Sequence, residues 1–274
     1  MSDQSHQSDS RILSRRTLQV DHRRLAAVLR PGMSVLDVGC GAGAITAGIA
    51  RIVGPEGHVL GIDRDESLLV QARQEHHAIP NLRFAWGDIL SWVFDEPFDV
   101  VNAARTLQWI SRSDAAVTRM RSAMVSGGRI VVLDYNHEDN SWEPDPPLEF
   151  RRFYQAFLEW RRVNGWNNRM ADHLPALLRS QGIQHVSVHV DDEIARRGDP
   201  DFNAVSAIWT YVVETVGPQL VAEGFLGDRE RSHTESVYRD WVHSTLQRPT
   251  LQMRTVKGRS HDPAAERYRV SRQT

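Results

Sequence analysis

The sequence predicts an α/β fold: a doubly wound, mostly parallel sheet with helices on both faces and a helical insertion over one end. Three observations carry this. Short apolar runs alternate with helical patterns through residue 134, as a doubly wound sheet requires. The first run, Val35-Leu36-Asp37-Val38, passes straight into Gly39-Cys40-Gly41-Ala42-Gly43, and strand, glycine turn and helix in that order open a nucleotide-binding βαβ unit. Two period-two segments, 185–190 and 251–256, return to the sheet after a long helical excursion.

The elements follow in order. Residues 1–14 are polar and without an apolar core, so they read as a disordered tail, while Leu18, Leu25, Ala26, Val28 and Leu29 recur helically over 11–30 until Pro31-Gly32. After the glycine turn, Ile45, Ile49, Ile52 and Val53 mark one helix face, stopped by Gly54-Pro55. His58–Asp63 is a second strand, and Asp65 and Glu66 cap the helix bearing Leu68, Leu69 and Ala72. Leu82–Trp86 and the run from Pro97 are the third and fourth strands, and a helix over 113–125 turns Val117, Met120 and Met124 inward. Arg129–Asp134 is nearly all apolar and reads as a strand buried on both faces. The cofactor-binding half thus covers 15–135, followed by a helical lid at 136–170, a return to the sheet at 171–200, a helical cap at 201–248, a final strand at 249–260 and a tail at 261–274.

Composition narrows the function. With 41% apolar and 25% charged residues in 274, the chain has the make-up of an ordinary soluble protein, and a net charge of −2 argues against a broad phosphate-binding surface. No run of about 18 apolar residues indicates a membrane span, no apolar signal core is present, and a cytoplasmic location is expected. The single cysteine, Cys40, excludes an internal disulfide and a cysteine-rich zinc site, and no metal is expected.

Asp37 identifies the ligand class. It stands two residues before the first glycine, where a carboxylate would repel a dinucleotide pyrophosphate but suits a cofactor with positive charge and no phosphate. S-adenosylmethionine carries an ammonium and a sulfonium. The string Asp-Val-Gly-Cys-Gly-Ala-Gly resembles motif I of the class I S-adenosylmethionine-dependent methyltransferases, in the small-molecule branch that includes the ubiquinone-biosynthesis type. The resemblance covers roughly residues 15–260, with motif support at 33–135, and implies a Rossmann-like sheet of seven strands that closes with an antiparallel pair. It also implies S-adenosylmethionine as cofactor and S-adenosylhomocysteine as product. Asp37, Gly39, Cys40 and Gly41 would form the cofactor loop. Asp63, at the tip of the second strand and followed by Arg64, would reach the ribose hydroxyls. Asp88 would take the adenine amino group and Ile89 would meet the ring. Asn102 and Ala103 would lie beside the methionine, with Arg105 and Trp109 nearer the acceptor.

The lid stripe of Phe150, Phe153, Tyr154 and Phe157 hangs over the ligand end of the sheet, so Phe153 and Phe157 are expected to roof an acceptor pocket. Methyl transfer is an in-line displacement that depends on positioning, with a base needed only for a protonated acceptor. Tyr135 and His137, just past the fifth strand, are the candidates, with Glu138 and His173 behind them. Asp145-Pro-Pro-Leu148 resembles the motif of amino-methylating enzymes but follows the wrong strand, so nucleic acid is disfavoured and a small organic acceptor expected. A nicotinamide oxidoreductase and a cofactor-binding protein that does not methylate are the alternatives. The second helical stretch, 202–246, either completes the lid or forms a homodimer contact.

Overall fold

A computed structural model describes residues 16–262; the expected tail at 1–14 lies outside them, as does the tail at 261–274 beyond Asp262. The strands are β1 (Ser34–Val38), β2 (His58–Asp63), β3 (Leu82–Trp86), β4 (Phe98–Ala104), β5 (Met124–Glu143), β6 (Gln184–Val190), β7 (Glu193–Ile194) and β8 (Arg248–Arg259). They hydrogen-bond in the order β3-β2-β1-β4-β5-β8-β6, with the two-residue β7 paired to β8. β1 to β5 pair in parallel, and β8 runs antiparallel to both β5 and β6. The expected seven-stranded, mostly parallel sheet is therefore present, with β7 as a short addition.

Strand alternation distributes the core. Leu36, Val101, Ile130 and Val132 face the helices α5 (Ser113–Ser122) and α7 (Met170–Ser180), whose Val117, Met120, Leu174 and Leu178 pack on them. Their neighbours Val35, Val100 and Val131 face the opposite way, toward Ile45, Ile49 and Val53 of α3 (Ala44–Val53). Both faces being covered is why these strands read as continuous apolar runs rather than alternating ones. α4 (Glu66–His76) connects β2 to β3 and is capped as expected: Asp65 accepts from the N–H groups of Ser67 and Leu68.

Three expectations about boundaries change. Of the single helix expected over 11–30, residues 11–15 lie outside the described ones, and the rest is two short helices, α1 (Leu18–Asp21) and α2 (Arg23–Ala26), which meet at the non-helical His22 and bury Leu18 and Leu25. Met124 opens β5 rather than ending α5. The lid does not begin at 136, because β5 runs on to Glu143. The length of β8 supplies a partner that far: Asn136 pairs with Gln252 and, past an irregularity, Glu143 pairs with Arg248. The polar run Asn136–Asn140 concealed this extension in the sequence.

The helical insertion is α6 (Leu148–Val163), and the second helical stretch packs with it as α8 (Phe202–Ser206), α9 (Ile208–Thr215), α10 (Gly217–Ala222) and α11 (Asp228–Ser244). These helices and the end of β5 share one aromatic core. Phe150 of α6 stacks on Tyr238 of α11 at 4.2 Å between ring centroids, and Trp209 of α9 meets Tyr154 and Phe157 edge-on at 4.7 and 5.3 Å. Such pairs add to the area they bury. Phe150→Ala is expected to destabilise the protein by about 3–5 kcal/mol, the usual cost of truncating a fully buried aromatic; urea unfolding measures it, and a loss below about 1 kcal/mol would mean that the cap does not share one core.

Candidate active site

One cavity of about 260 Å³ runs from the glycine loop to the underside of the cap, across the carboxyl ends of β1, β2, β4 and β5. This is the ligand end of an open α/β sheet. Its floor is the β1–α3 turn. The N–H groups of Gly39 and Cys40 donate to Ile62 O at 2.8 and 3.1 Å, which stitches the loop to β2. Gly39 has φ of +72°, and a Cβ there would lie 2.3 Å from Thr106 Oγ1. Both facts exclude a side chain. Thr106 is itself held, its hydroxyl 3.2 Å from Val38 O and from Ala104 O.

Asp37 lies under this loop and is buried. Its Oδ2 accepts from Thr46 Oγ1 and its Oδ1 from Asn102 Nδ2, each at 2.7 Å. Because the Asn102 amide donates to Asp37, its oxygen is left to accept from His22 Nε2, at 2.8 Å. Burial holds the His22 imidazole down at about 4, hence neutral at pH 7, and pushes the Asp37 carboxyl up to about 6 against the pull of its two hydrogen bonds.

The rim is acidic. Asp63 at the tip of β2 accepts from Gly41 N–H at 2.8 Å with Oδ2 and from Asp65 N–H at 2.9 Å with Oδ1, so both oxygens are oriented while each keeps acceptor capacity. Asp88 accepts from Leu90 N–H at 2.9 Å and lies 3.8 Å from the Arg64 guanidinium; Ile89 beside it is buried against the cavity.

The far wall is polar below and aromatic above. Arg105 Nε donates to the Tyr135 hydroxyl at 3.1 Å, and the Tyr135 ring stacks on His137 at 5.0 Å. Gln108 organises the rest. Its amide donates to Arg105 O at 3.2 Å, so its oxygen accepts both from His137 Nε2 at 2.6 Å and from Arg161 Nη2 at 3.1 Å. His137 in its neutral form thus carries its proton on Nε2 and its lone pair on Nδ1. Arg161 lies 4.0 Å over the Trp109 ring and is wholly buried, which lowers its guanidinium to about 9. Beneath it, burial raises Asp134 to about 7 although that carboxylate accepts from two backbone N–H groups. Ile208, Trp209 and Val212 of α9 and Val216 just past its end, with Phe157 of α6, form the roof.

The cavity brings together Asp37, Gly39, Cys40, Gly41, Asp63, Arg64, Asp88, Ile89, Arg105, Trp109, Tyr135, His137 and Phe157. It leaves out three expected residues. Asn102 and Ala103 are fully buried in β4, and Asn102 spends its side chain on Asp37 and His22; Ala104, Arg105 and Thr106 line the cavity in their place. Phe153 is fully buried in the cap core and is not a wall residue, because the α6 stripe is wider than the part of it that meets the cavity. Sequence reasoning missed Thr46, His22, Gln108 and Trp209, and placed Arg161 only among the arginines of the lid. Thr46 alone left a local signal, a hydroxyl in the first turn after the glycines; the others are joined by contacts across 29 to 80 positions of chain.

Comparison with known proteins gives the family and the fold. A family model described as a methyltransferase domain matches residues 29–170. The chain is 34% identical over 117 residues to a ubiquinone/menaquinone biosynthesis C-methyltransferase of Teredinibacter turnerae, covering 41% of this chain and 47% of that protein. It is 26% identical over 179 residues to a demethylmenaquinone methyltransferase of Staphylococcus carnosus, covering 58% and 71%. Similarity to the first of these relatives spans about half of its length. Among solved structures, a Haemonchus contortus phosphoethanolamine N-methyltransferase superposes with a TM-score of 0.58 at 15% identity, over 89% of this chain and 52% of that one. The [4+2]-cyclase SpnF superposes at 0.54 and 18% identity, over 94% and 86%. At these identities the likeness is one of fold.

The Asp37 cluster has a pH signature. Its folded pKa of about 6 lies above the ordinary 3.8, so the folded state binds more protons than the unfolded chain between those values. The contribution of this group to stability is therefore full below about pH 4 and is lost as pH rises through about 6, on the order of 3 kcal/mol in total. His22 works in the opposite direction, so the difference between variant and wild type is the clean readout. Asp37→Asn should gain stability relative to wild type from pH 4 to pH 6 and then level off, measured by urea midpoints; a gap that does not vary with pH would refute the assignment.

Proposed function

The chain belongs to the methyltransferase-domain family, and from that premise we propose that it binds S-adenosylmethionine and transfers the methyl group to a small organic acceptor, as an enzyme of the S-adenosylmethionine-dependent class. The observation that carries this reading is the continuity of the cavity: an acidic, glycine-floored half opens directly into an apolar-roofed half with a polar lower wall. The residues fit the cofactor. Gly39, Gly41 and Gly43 line the cavity with bare backbone, and Asp37 supplies buried negative charge beneath a ligand that carries an ammonium and a sulfonium. When bound, the sulfonium supplies an electrophilic methyl group for in-line displacement at carbon.

The chain's own residues then have distinct tasks. Asp63 accepts from the ribose hydroxyls, a use of the second lone pairs on oxygens already oriented by backbone N–H groups. Asp88 and Ile89 meet the adenine, and the loop at 39–41 with Thr106 confines the methionine end. Trp109, Phe157 and Trp209 keep water from the acceptor half, where holding the reacting atoms in line supplies much of the rate. Where the acceptor arrives protonated, His137, whose Nε2 is bonded to Gln108, is the base that takes the proton. A C-methylation like that named for the Teredinibacter turnerae relative needs such a base, because removing a proton raises the electron density of the carbon acceptor. A nicotinamide role is disfavoured by Asp37, which would face a pyrophosphate.

Calorimetric titration of the purified protein with S-adenosylmethionine, S-adenosylhomocysteine and NADH tests the cofactor. Micromolar binding of the first two and none of the third is expected, and binding of NADH alone would overturn the reading. Asp63→Ala should weaken S-adenosylmethionine about 10- to 100-fold, the scale of a charge-assisted hydrogen bond; unchanged affinity removes Asp63 from the ribose. For the base, nitrogen-15 imidazole shifts at pH 8 should report His137 with its proton on Nε2, and Gln108→Leu should mix the two tautomers. A wild-type proton on Nδ1 would exclude that nitrogen as the base.

A further inference from the structure

Arg105 is more tightly held, and less well paired, than a structural arginine. It follows β4 with φ of +61°, a left-handed geometry rare outside glycine. That backbone is secured from both sides: its N–H donates to Leu133 O at 2.6 Å and its carbonyl accepts from Gln108. The side chain is only 6% exposed yet lines the cavity. Its Nε is bonded to Tyr135, while Nη1 is buried with no hydrogen-bond partner, and no carboxylate among the described residues reaches ion-pair distance. Asp21 and Glu193 influence it only through space. Arg16 lines the same cavity and adds a second positive charge.

A guanidinium stays protonated in a protein interior, so burial without a counter-ion leaves a standing desolvation cost that an incoming anion relieves. Its free edge is a planar fork matched to a carboxylate. Tyr135 holds the group toward β5, away from the glycine loop on β1, which assigns that edge to the acceptor half. The roof opposite is apolar. We propose that Arg105 seats the carboxylate of the methyl acceptor, so that the substrate is an organic acid with an apolar body lying under α9. This rests on the methyltransferase reading above and names the acceptor class for it.

The test begins with S-adenosylhomocysteine binding to the wild type; its absence would overturn the methyltransferase reading and this inference with it. With that ligand saturating, calorimetry then compares benzoate, 2-naphthoate and dodecanoate, each beside its own uncharged primary amide. At least one acid should bind about 10-fold or more tighter than its amide. Arg105→Met should abolish the preference, Arg105→Lys should retain part of it, and S-adenosylhomocysteine affinity should stay near wild type in both. Amides binding as well as acids, no acid binding, or a preference that survives Arg105→Met would each overturn the proposal while leaving the cofactor reading intact. So would a loss of S-adenosylhomocysteine affinity in Arg105→Met with 5′-methylthioadenosine unaffected, because that pattern assigns the seat to the cofactor's own carboxylate. If Arg105→Met does not fold, the comparison of acids with amides on the wild type decides alone.

Discussion

A carboxylate removed from water at the tip of β1 sets the terms for everything around it. Asp37 is tolerable there only because each of its oxygens has a short hydrogen bond, and the network built on those bonds recruits three separate pieces of chain. Thr46 comes from the first turn of α3, Asn102 from the middle of β4, and His22 from the junction of α1 and α2. An unpaired buried charge would cost several kcal/mol, so the position of each partner is a condition of folding and not a decoration of it. The N-terminal segment is thereby tied to the sheet at the point where the ligand cavity starts.

A second hub, Gln108, does for the acceptor half what Asp37 does for the cofactor half. One side-chain amide orients three neighbours: the Arg105 carbonyl, the His137 ring and the Arg161 guanidinium. Arg161 carries that order upward by lying on Trp109, and Trp109 contacts Phe157 and Trp166 edge-on. The polar floor and the aromatic roof are thus mechanically connected. In a low-dielectric interior such a network is strong when complete and costly when one member is lost.

The cap follows from the same economy of burial. A helix with as wide an aromatic face as α6 cannot stand over a cavity by itself, since Phe150 and Phe153 would meet water. The helices α8 to α11 cover that outer face, leaving the inner edge around Phe157 on the cavity. This is why only part of the stripe lines the cavity.

Local order in the chain was enough to determine the sheet, the glycine loop and the acidic rim. Strand, glycine turn and helix are short-range patterns, and Asp37, Asp63 and Asp88 sit at fixed offsets from them, so their convergence on one cavity was legible from residue types and spacing. The course of β5 past residue 134 was not, because the antiparallel partner that supports its polar end lies more than 100 residues away. Nor was the division of labour inside the aromatic stripe, or the removal of Asn102 from the cavity wall: both depend on which side of an element faces a distant neighbour. His22 and Gln108, and the partners of Arg161, were invisible for the same reason. A buried polar side chain takes its meaning from the partners that satisfy it, and those partners are chosen by tertiary contact, not by sequence proximity.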